Sequence, residues 1–273
     1  MTEVRIAAVQ FAPTADAAAN RDRIAALSAR AAGAGARLVV FPEYSSFFTP
    51  RLGEPVVEAA EPLDGPFVSA LAALADRHGV TIVAGMAETV PAGPDGSRER
   101  RFRNTVVALA PGAGLVARYR KAHLYDAFGQ RESDWVRAGE LEDAATFEVD
   151  GVAVGLQTCY DLRFPESTRL LADAGARLVV VPAEWVAGDL KVAHWRTLLA
   201  ARAIENTLYV AAADHPGPVG VGHSAIIDPR GVELALVEDG EGIASAAVDP
   251  GEVDRVRAVN PSLAARRYAV VPR

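Results

Sequence analysis

Two passages of this sequence are nearly the same words. "GARLVVFPEY" runs from Gly35 to Tyr44, and "GARLVVVPAEW" runs from Gly175 to Trp185. Each is a short apolar, β-branched run that stops at a proline, with an acid just beyond it: Glu43 after Pro42, and Glu184 after Pro182 and Ala183. Each also follows a stretch that reads as a helix closing on glycine. The shared setting is helix, Gly-Ala-Arg, strand, proline. Because the phrase occurs only twice and far apart, it does not read as a solenoid repeat. It predicts two halves of similar build facing each other, with both phrases ending at one cleft. Side chains alternate along extended chain, so Glu184 is expected to face away from the direction taken by Glu43 and to serve as a rim residue.

Outward from these phrases, strands and helices alternate. Val4 to Phe11 reads as a buried strand, and the Ala-rich stretch from Asp16 to Gly33 as a helix with an aspartate cap. Pro66 to His78 reads as a helix opened by proline and closed by Gly79, with a strand at Val80 to Met86. "NTVVALA" and "GLVARYRK" form a hairpin around Pro111 to Gly114. Thr146 to Thr158 is a second hairpin about Asp150-Gly151. Pro165 to Gly175 is a helix, Leu190 to Thr207 a long helix, and "LYVAAAD" a strand. "SAIIDPRGVELALVE" and "GIASAAVD" supply a hairpin and one more strand. Ala122 to Glu140 has no clean period and reads as loop. Hairpins among βαβ units predict an α/β fold with mixed sheets and helices on their faces.

The composition sets outer limits. The chain has 273 residues, half of them apolar, with a formal net charge of −7. That length buries a large core without disulfide or metal, and the negative balance argues against a nucleic-acid partner. The basic run Arg98 to Arg103, broken by Glu99 and next to "PAGPDGS", reads as a solvated loop. No apolar run is long enough to cross a bilayer, and "MTEVRIAAVQFAP" lacks the form of a signal peptide. With 1 cysteine in the chain no intrachain disulfide forms, and a reducing, cytoplasmic setting is expected.

That cysteine, Cys159, lies where a strand runs toward a helix in "GVAVGLQTCYDLRFPE". A nucleophile on such a corner is held exposed on a sharp turn, and the next backbone N–H, that of Tyr160, points where an oxyanion forms. The alternative is a buried cysteine acting as a small hydrophobe. A nucleophilic thiol needs a base. The histidines are His78, His123, His194, His215 and His223, and none lies in an evident Cys-His motif, although pairing in space stays open. Glu43, at the end of a buried strand, is a second candidate base. Lys121, just past a strand, is either a source of positive charge or a solvated lysine. No HExxH or CxxC spacing calls for a metal, and the "GPVGVGHSA" glycines precede a strand, unlike a dinucleotide fingerprint.

"VVFPEY", "YRKAHLYD" and "TCYDLRFPE", in that order, resemble the signature segments of the nitrilase superfamily of carbon–nitrogen hydrolases. The resemblance runs from "RIAAVQ" through "AHWRTLLAARAIENTLYV" to "HSAIIDPRG", and is greatest toward the branch holding ω-amidase and deaminated glutathione amidase. It implies a four-layer αββα sandwich with two mixed β-sheets and internal pseudo-two-fold symmetry, in one carbon–nitrogen hydrolase domain over 1–273 that pairs into a homodimer or higher oligomer. It implies a catalytic set of Glu43, Lys121 and Cys159, with Glu132 in "AFGQRESD" as a second glutamate. The oxyanion would rest on Lys121 and the Tyr160 N–H. No cofactor or metal is expected. The substrate is a small-molecule amide, with a nitrile or an N-carbamoyl amide as alternatives and an inactive binding module as a third.

Tyr44, Phe128, Arg163, Glu184 and Trp185 are the candidate substrate-binding residues, while Trp195, on an apolar-periodic helix, reads as core. Arg163 either meets a substrate carboxylate or pairs with Asp161 or Glu166. "PAEWVAG" departs from the small-residue pattern of ω-amidase-like members, and an exposed acid at 184 would favour a neutral or cationic amide.

Overall fold

The computed structural model describes residues 3–91, 99–140 and 144–271. The two opening residues, and the part of the "PAGPDGS" loop and basic run over 92–98, lie outside the described residues. The first half contains β1 (Val4–Gln10), α1 (Ala17–Gly33), β2 (Leu38–Val40), α2 (Glu54–Ala59), α3 (Pro66–His78), β3 (Thr81–Thr89), β4 (Phe102–Ala110) and β5 (Gly114–Arg120). The second contains β6 (Thr146–Val149), β7 (Val152–Leu156), α4 (Pro165–Asp173), β8 (Leu178–Pro182), α5 (Lys191–Asn206), β9 (Tyr209–Ala213), β10 (Ser224–Ile227) and β11 (Glu233–Val237). β12 (Gly242–Val248) and α6 (Pro250–Val259) follow.

The strands form two six-stranded sheets, ordered β12-β1-β2-β3-β4-β5 and β6-β7-β8-β9-β10-β11. Strand directions match position by position: an antiparallel edge, two parallel pairings through the repeated phrase, then two antiparallel pairings. The doubled phrase is thus the central strand of each parallel trio, β2 and β8. Its glycines make the same left-handed turn, with φ of 87° at Gly35 and 94° at Gly175. The arginine N–H then begins each strand alike, Arg37 to the Arg5 carbonyl at 2.8 Å and Arg177 to the Ala153 carbonyl at 2.9 Å.

Alternation along these strands builds the layers. Ile6, Ala8, Leu38 and Val40 face Val154, Leu156, Leu178 and Val180 in one core between the sheets. The outward residues Ala7, Val9, Val39 and Phe41 pack on Ile24, Leu27, Phe67 and Leu71 of α1 and α3. Val179 and Val181 pack on Leu171, Trp195 and Leu199 of α4 and α5. The result is an αββα sandwich of two mixed sheets. Trp195 is fully buried, as its periodicity predicts. Helices α2 and α6 are absent from the sequence reading: α2 is short, and α6 begins at Pro250 just past the last strand. The last strand, β12, leaves the hairpin before it and completes the other sheet against β1.

The two phrases part at their prolines. β8 carries on, with Pro182 opposite Ala213 and the Ala183 N–H bonded to the Ala213 carbonyl at 2.8 Å. β2 ends at Val40, and the chain rolls into a turn in which Tyr44 takes φ 56°.

Candidate active site

Glu43 opens that turn and is 1 % exposed. Strand β3 passes so close behind it that a Cβ at Gly85 would lie 2.6 Å from the Glu43 Cα, which explains a glycine in the middle of a strand. The Gly85 N–H donates to the Pro42 carbonyl at 3.0 Å, and the His215 ring Nε2 donates to the Glu43 carbonyl at 2.7 Å. Burial pushes His215 down to about 4, so it is a neutral strut. The Glu43 carboxylate accepts from Lys121 Nζ at 2.9 Å and from Asn104 Nδ2 at 2.6 Å on Oε1, and from the Glu184 N–H at 2.7 Å on Oε2.

Lys121 follows β5 directly and is 2 % exposed, so the solvated alternative fails. Its Nζ lies 2.9 Å from Glu43 Oε1 and 2.9 Å from Glu132 Oε2. Glu132 stands on a short 3-10 turn, Glu132–Asp134, in the segment that reads as loop. It accepts from the Tyr125 N–H at 2.6 Å, from the Tyr44 hydroxyl at 2.8 Å and from Asn104 Nδ2 at 3.1 Å. Burial would strip Lys121 of its proton, but Glu132 and Glu43 outweigh this and hold it well above the ordinary lysine value. Burial raises Glu43, with Lys121 pulling the other way, whereas for Glu132 the bonds from Lys121, Tyr125 and Tyr44 win and lower it. Glu43 is therefore the carboxylate poised to exchange a proton nearer neutrality, and Glu132 the fixed anion.

Cys159 begins a 3-10 turn, Cys159–Arg163, with φ 44°, a left-handed conformation rare for any residue but glycine. The turn is braced by a capping box between Thr158 and Asp161. Asp161 also accepts from the His123 ring Nδ1 at 2.7 Å, which ties the loop after Lys121 to the cysteine corner. The Tyr160 N–H lies in the first turn, where a helix leaves its donors without internal acceptors. Cys159 Sγ donates to the Glu184 carbonyl at 3.4 Å. Burial and the nearby Glu43 push the thiol well above its ordinary value, so it rests protonated and needs a base. Among the described residues no histidine bonds Sγ, and Glu43 is the candidate base that the fold brings near.

Glu43, Lys121, Glu132 and Cys159 all line one cavity of about 290 Å³, together with Tyr44 and Glu184. The expectation that Glu184 turns away from Glu43 is corrected. The ladder ends at Ala183, and the chain beyond brings Glu184 into the same cavity, its peptide bridging Glu43 and Cys159. Burial pushes its carboxyl well above the usual range, and Glu43 and Asp214 add to the rise. Tyr44 both lines the cavity and holds Glu132. Trp185 is anchored by its N–H to Asp214 at 2.7 Å and by its indole N–H to the Lys191 carbonyl at 3.1 Å. Phe128 is 66 % exposed and is not part of the cavity wall; its ring stacks on Tyr125 at 6.1 Å. Arg163 pairs with neither Asp161, which is taken by His123 and Thr158, nor Glu166. Its guanidinium instead lies 4.7 Å from the Trp185 ring centre. Asn104, Gly85 and His215 are site residues that sequence reasoning missed. A lone asparagine entering the apolar strand "NTVVALA" was the available signal for the first.

A carbon–nitrogen hydrolase family model matches residues 5–258. A deaminated glutathione amidase of Escherichia coli O157:H7 is 44% identical over 230 residues, covering 84% of this chain and 84% of that protein. A CN-hydrolase superfamily protein of Xanthomonas campestris, solved with an arsenic adduct in its active site, is similar with a TM-score of 0.86 at 28% identity, over 100% of both chains. A glutamate-to-glutamine variant of the amidase from Nesterenkonia sp. AN1 carries the acetamide moiety of fluoroacetamide covalently at its active-site cysteine. It matches with a TM-score of 0.77 at 28% identity, over 97% of this chain and 94% of that one. With this match along nearly its whole length, the chain belongs to the carbon–nitrogen hydrolase family, whose members act on C–N bonds other than peptide bonds.

Proposed function

We propose that the protein hydrolyses a small amide to a carboxylic acid and ammonia through a thioester on Cys159, within one catalytic domain spanning the chain. The supporting observation is the Glu184 peptide, which holds the Glu43 carboxylate by its N–H and the Cys159 thiol by its carbonyl. Glu43 takes the thiol proton, and the thiolate attacks the amide carbon. The oxyanion rests on the Lys121 ammonium and the Tyr160 N–H, a pair in which losing one donor costs about 3–4 kcal/mol. As the C–N bond breaks, Glu43 returns the proton to the departing ammonia. A water then gives its proton to Glu43 and adds to the thioester, and the thiolate leaves and is reprotonated. Glu132 positions Lys121 through two oxygens and does not itself exchange protons.

An amide is favoured over a nitrile or carbamoyl compound by the amidase named among the relatives. Among the described residues no helix is long and apolar enough to cross a membrane. The single cysteine favours a cytoplasmic setting, and the family resemblance favours a homodimer, which sedimentation would test. The decisive assay is ammonia release from a panel of amides, nitriles and carbamoyl amino acids. C159A should abolish turnover in folded protein and E43Q should lower it by orders of magnitude, and full activity in either would overturn the assignment.

A further inference from the structure

Glu43 and Glu132 are two buried carboxyl groups around one ammonium. Lys121 Nζ reaches Glu43 Oε1 at 2.9 Å and the two oxygens of Glu132 at 3.1 and 2.9 Å. Asn104 makes the same bridge without a charge. Its Nδ2 lies 2.6 Å from Glu43 Oε1, 3.1 Å from Glu132 Oε1 and 2.9 Å from the Tyr44 hydroxyl, which itself donates to Glu132. The same residue also seats Lys121, whose N–H donates to the Asn104 carbonyl at 2.9 Å. Asn104 is 1 % exposed, on β4 opposite Ala87 of β3, and is not part of the cavity wall. It therefore acts on a bound amide only through the acids it holds.

The orientation of this side-chain amide is forced. Turned over, it would set Oδ1 against the carboxylate oxygens, which accept and do not donate. As it stands, Oδ1 is buried and has no hydrogen-bond partner among the described residues. A buried acceptor left unmade is destabilising, and it persists where the donor end is needed. The shortest contact of Nδ2 is to Glu43, so one hydrogen goes there, and the other is shared between Tyr44 and Glu132. An ammonium has three hydrogens. Lys121 spends at least two on the acids, and the oxyanion of the proposed reaction draws on it as well. A second donor fixed between Glu43 and Glu132 keeps them screened from each other while Lys121 serves the oxyanion.

The Glu43 carboxylate feels many groups. Lys121, Glu132, Asn104 and Tyr44 surround it, Cys159, Glu184 and Asp214 lie near enough to interact with it, and His215 is neutral at its carbonyl. Burial raises its proton affinity most, and Glu132 adds to the rise, while Lys121 and then the Asn104 bond favour the anion.

We propose that Asn104 is a positioning residue for the base, a neutral second bridge between Glu43 and Glu132 that keeps Glu43 anionic and in place while Lys121 holds the oxyanion. This rests on the amidase function proposed above. An asparagine that merely filled space in β4 would give way to leucine with no change in the pH profile.

The first test is the acid limb of kcat/KM, followed with the amide that wild type hydrolyses best. Glu43 works deprotonated, so activity falls as pH drops through its titration. N104L is close in volume and has no donor. It should move the limb up by about 1–2 pH units, the usual worth of a hydrogen bond to a charged group, and should regain much of the lost activity well above the limb. N104S is too short to span to Glu43 and should move the limb the same way, which covers the case in which leucine does not fold. A loss that is equal at every pH, with the limb in place, overturns the proposal in either folded variant. The second test needs no turnover. The chain has 1 cysteine, so iodoacetamide uptake read by intact mass reports Cys159 alone. Its rate should follow the ionisation of Glu43, and the pH of half-maximal rate should rise by about 1–2 units in N104L or N104S. An unshifted midpoint overturns the proposal. If wild type hydrolyses no amide, the amidase assignment fails while the alkylation arm still decides the role of Asn104.

Discussion

The two copies of the Gly-Ala-Arg phrase run through the same turn and the same strand, then meet at the cleft with different parts of themselves. The first gives a side chain: Glu43, bonded to Lys121 and Asn104. The second gives backbone: the Glu184 N–H and carbonyl, which hold Glu43 and Cys159. What separates them is the strand beside each phrase. At the position opposite the second proline stands Ala213, while the corresponding place in β3 is Gly85. Removing one Cβ lets the Glu43 turn drop against its neighbour strand. Repeated topology therefore does not imply repeated chemistry, because a single neighbouring residue changes which atoms face the cavity.

The comparison breaks most readily at the acids. E43Q should lower kcat/KM by about 10²–10⁴-fold, the usual worth of a general base. E184Q keeps its peptide bonds and should cost no more than about tenfold, and equal losses in steady-state kinetics would erase the distinction. The same base sets a pH limit. Glu43 works when deprotonated and its proton affinity is raised, so kcat/KM should fall with decreasing pH in a range above that of ordinary carboxylates.

Next in size is the glycine. G85A puts a Cβ against the Glu43 backbone and should lower kcat about 10- to 100-fold, as displacements of about an ångström do. An active G85A enzyme would show that the turn does not depend on this close approach. The reciprocal change, A213G, should leave kcat alone and cost only about 0.5–1 kcal/mol in denaturant unfolding.

His215 joins the halves by donating to the Glu43 carbonyl, and its protonation bears on stability. Its folded value of about 4 lies below the ordinary histidine value near 6.5. Between these pH values the unfolded chain binds a proton that the folded chain refuses, so stability should fall as pH drops through this window, by at most about 3 kcal/mol. H215Q should flatten that part of a urea-unfolding profile, and an unchanged slope would assign the acid sensitivity elsewhere.

The doubled phrase, the hairpins and the helix ends made the layered α/β architecture legible in the sequence, because periodicity, proline and glycine act locally. Cys159, Glu43 and Lys121 stood out as candidates from their places at strand ends, Glu132 and the joint catalytic set came from a resemblance, and the structure brings all four to one cavity. Other features depend on distant partners. Glu184 defied simple alternation because β8 ends at Pro182 and the last ladder bond is that of Ala183. Asn104 looks like a polar flaw in an apolar strand until oxygens of Glu43 and Tyr44 from one turn and of Glu132 from another converge on it. Lys191 looks like a surface lysine at a helix start until the left-handed corner at Leu190 turns it inward.

The pairing of β12 with β1 sets Val4 opposite Val248. Its counterpart in the second sheet, β6, is made immediately before the strand it borders. During synthesis the second sheet therefore has its edge in hand from the outset, while β1 waits with open backbone donors and acceptors until nearly the whole chain has left the ribosome. An unpaired apolar edge is a template for association with other chains. The two sheets share a topology but not a timetable, and the earlier sheet is the one that needs protection on the way to the native state.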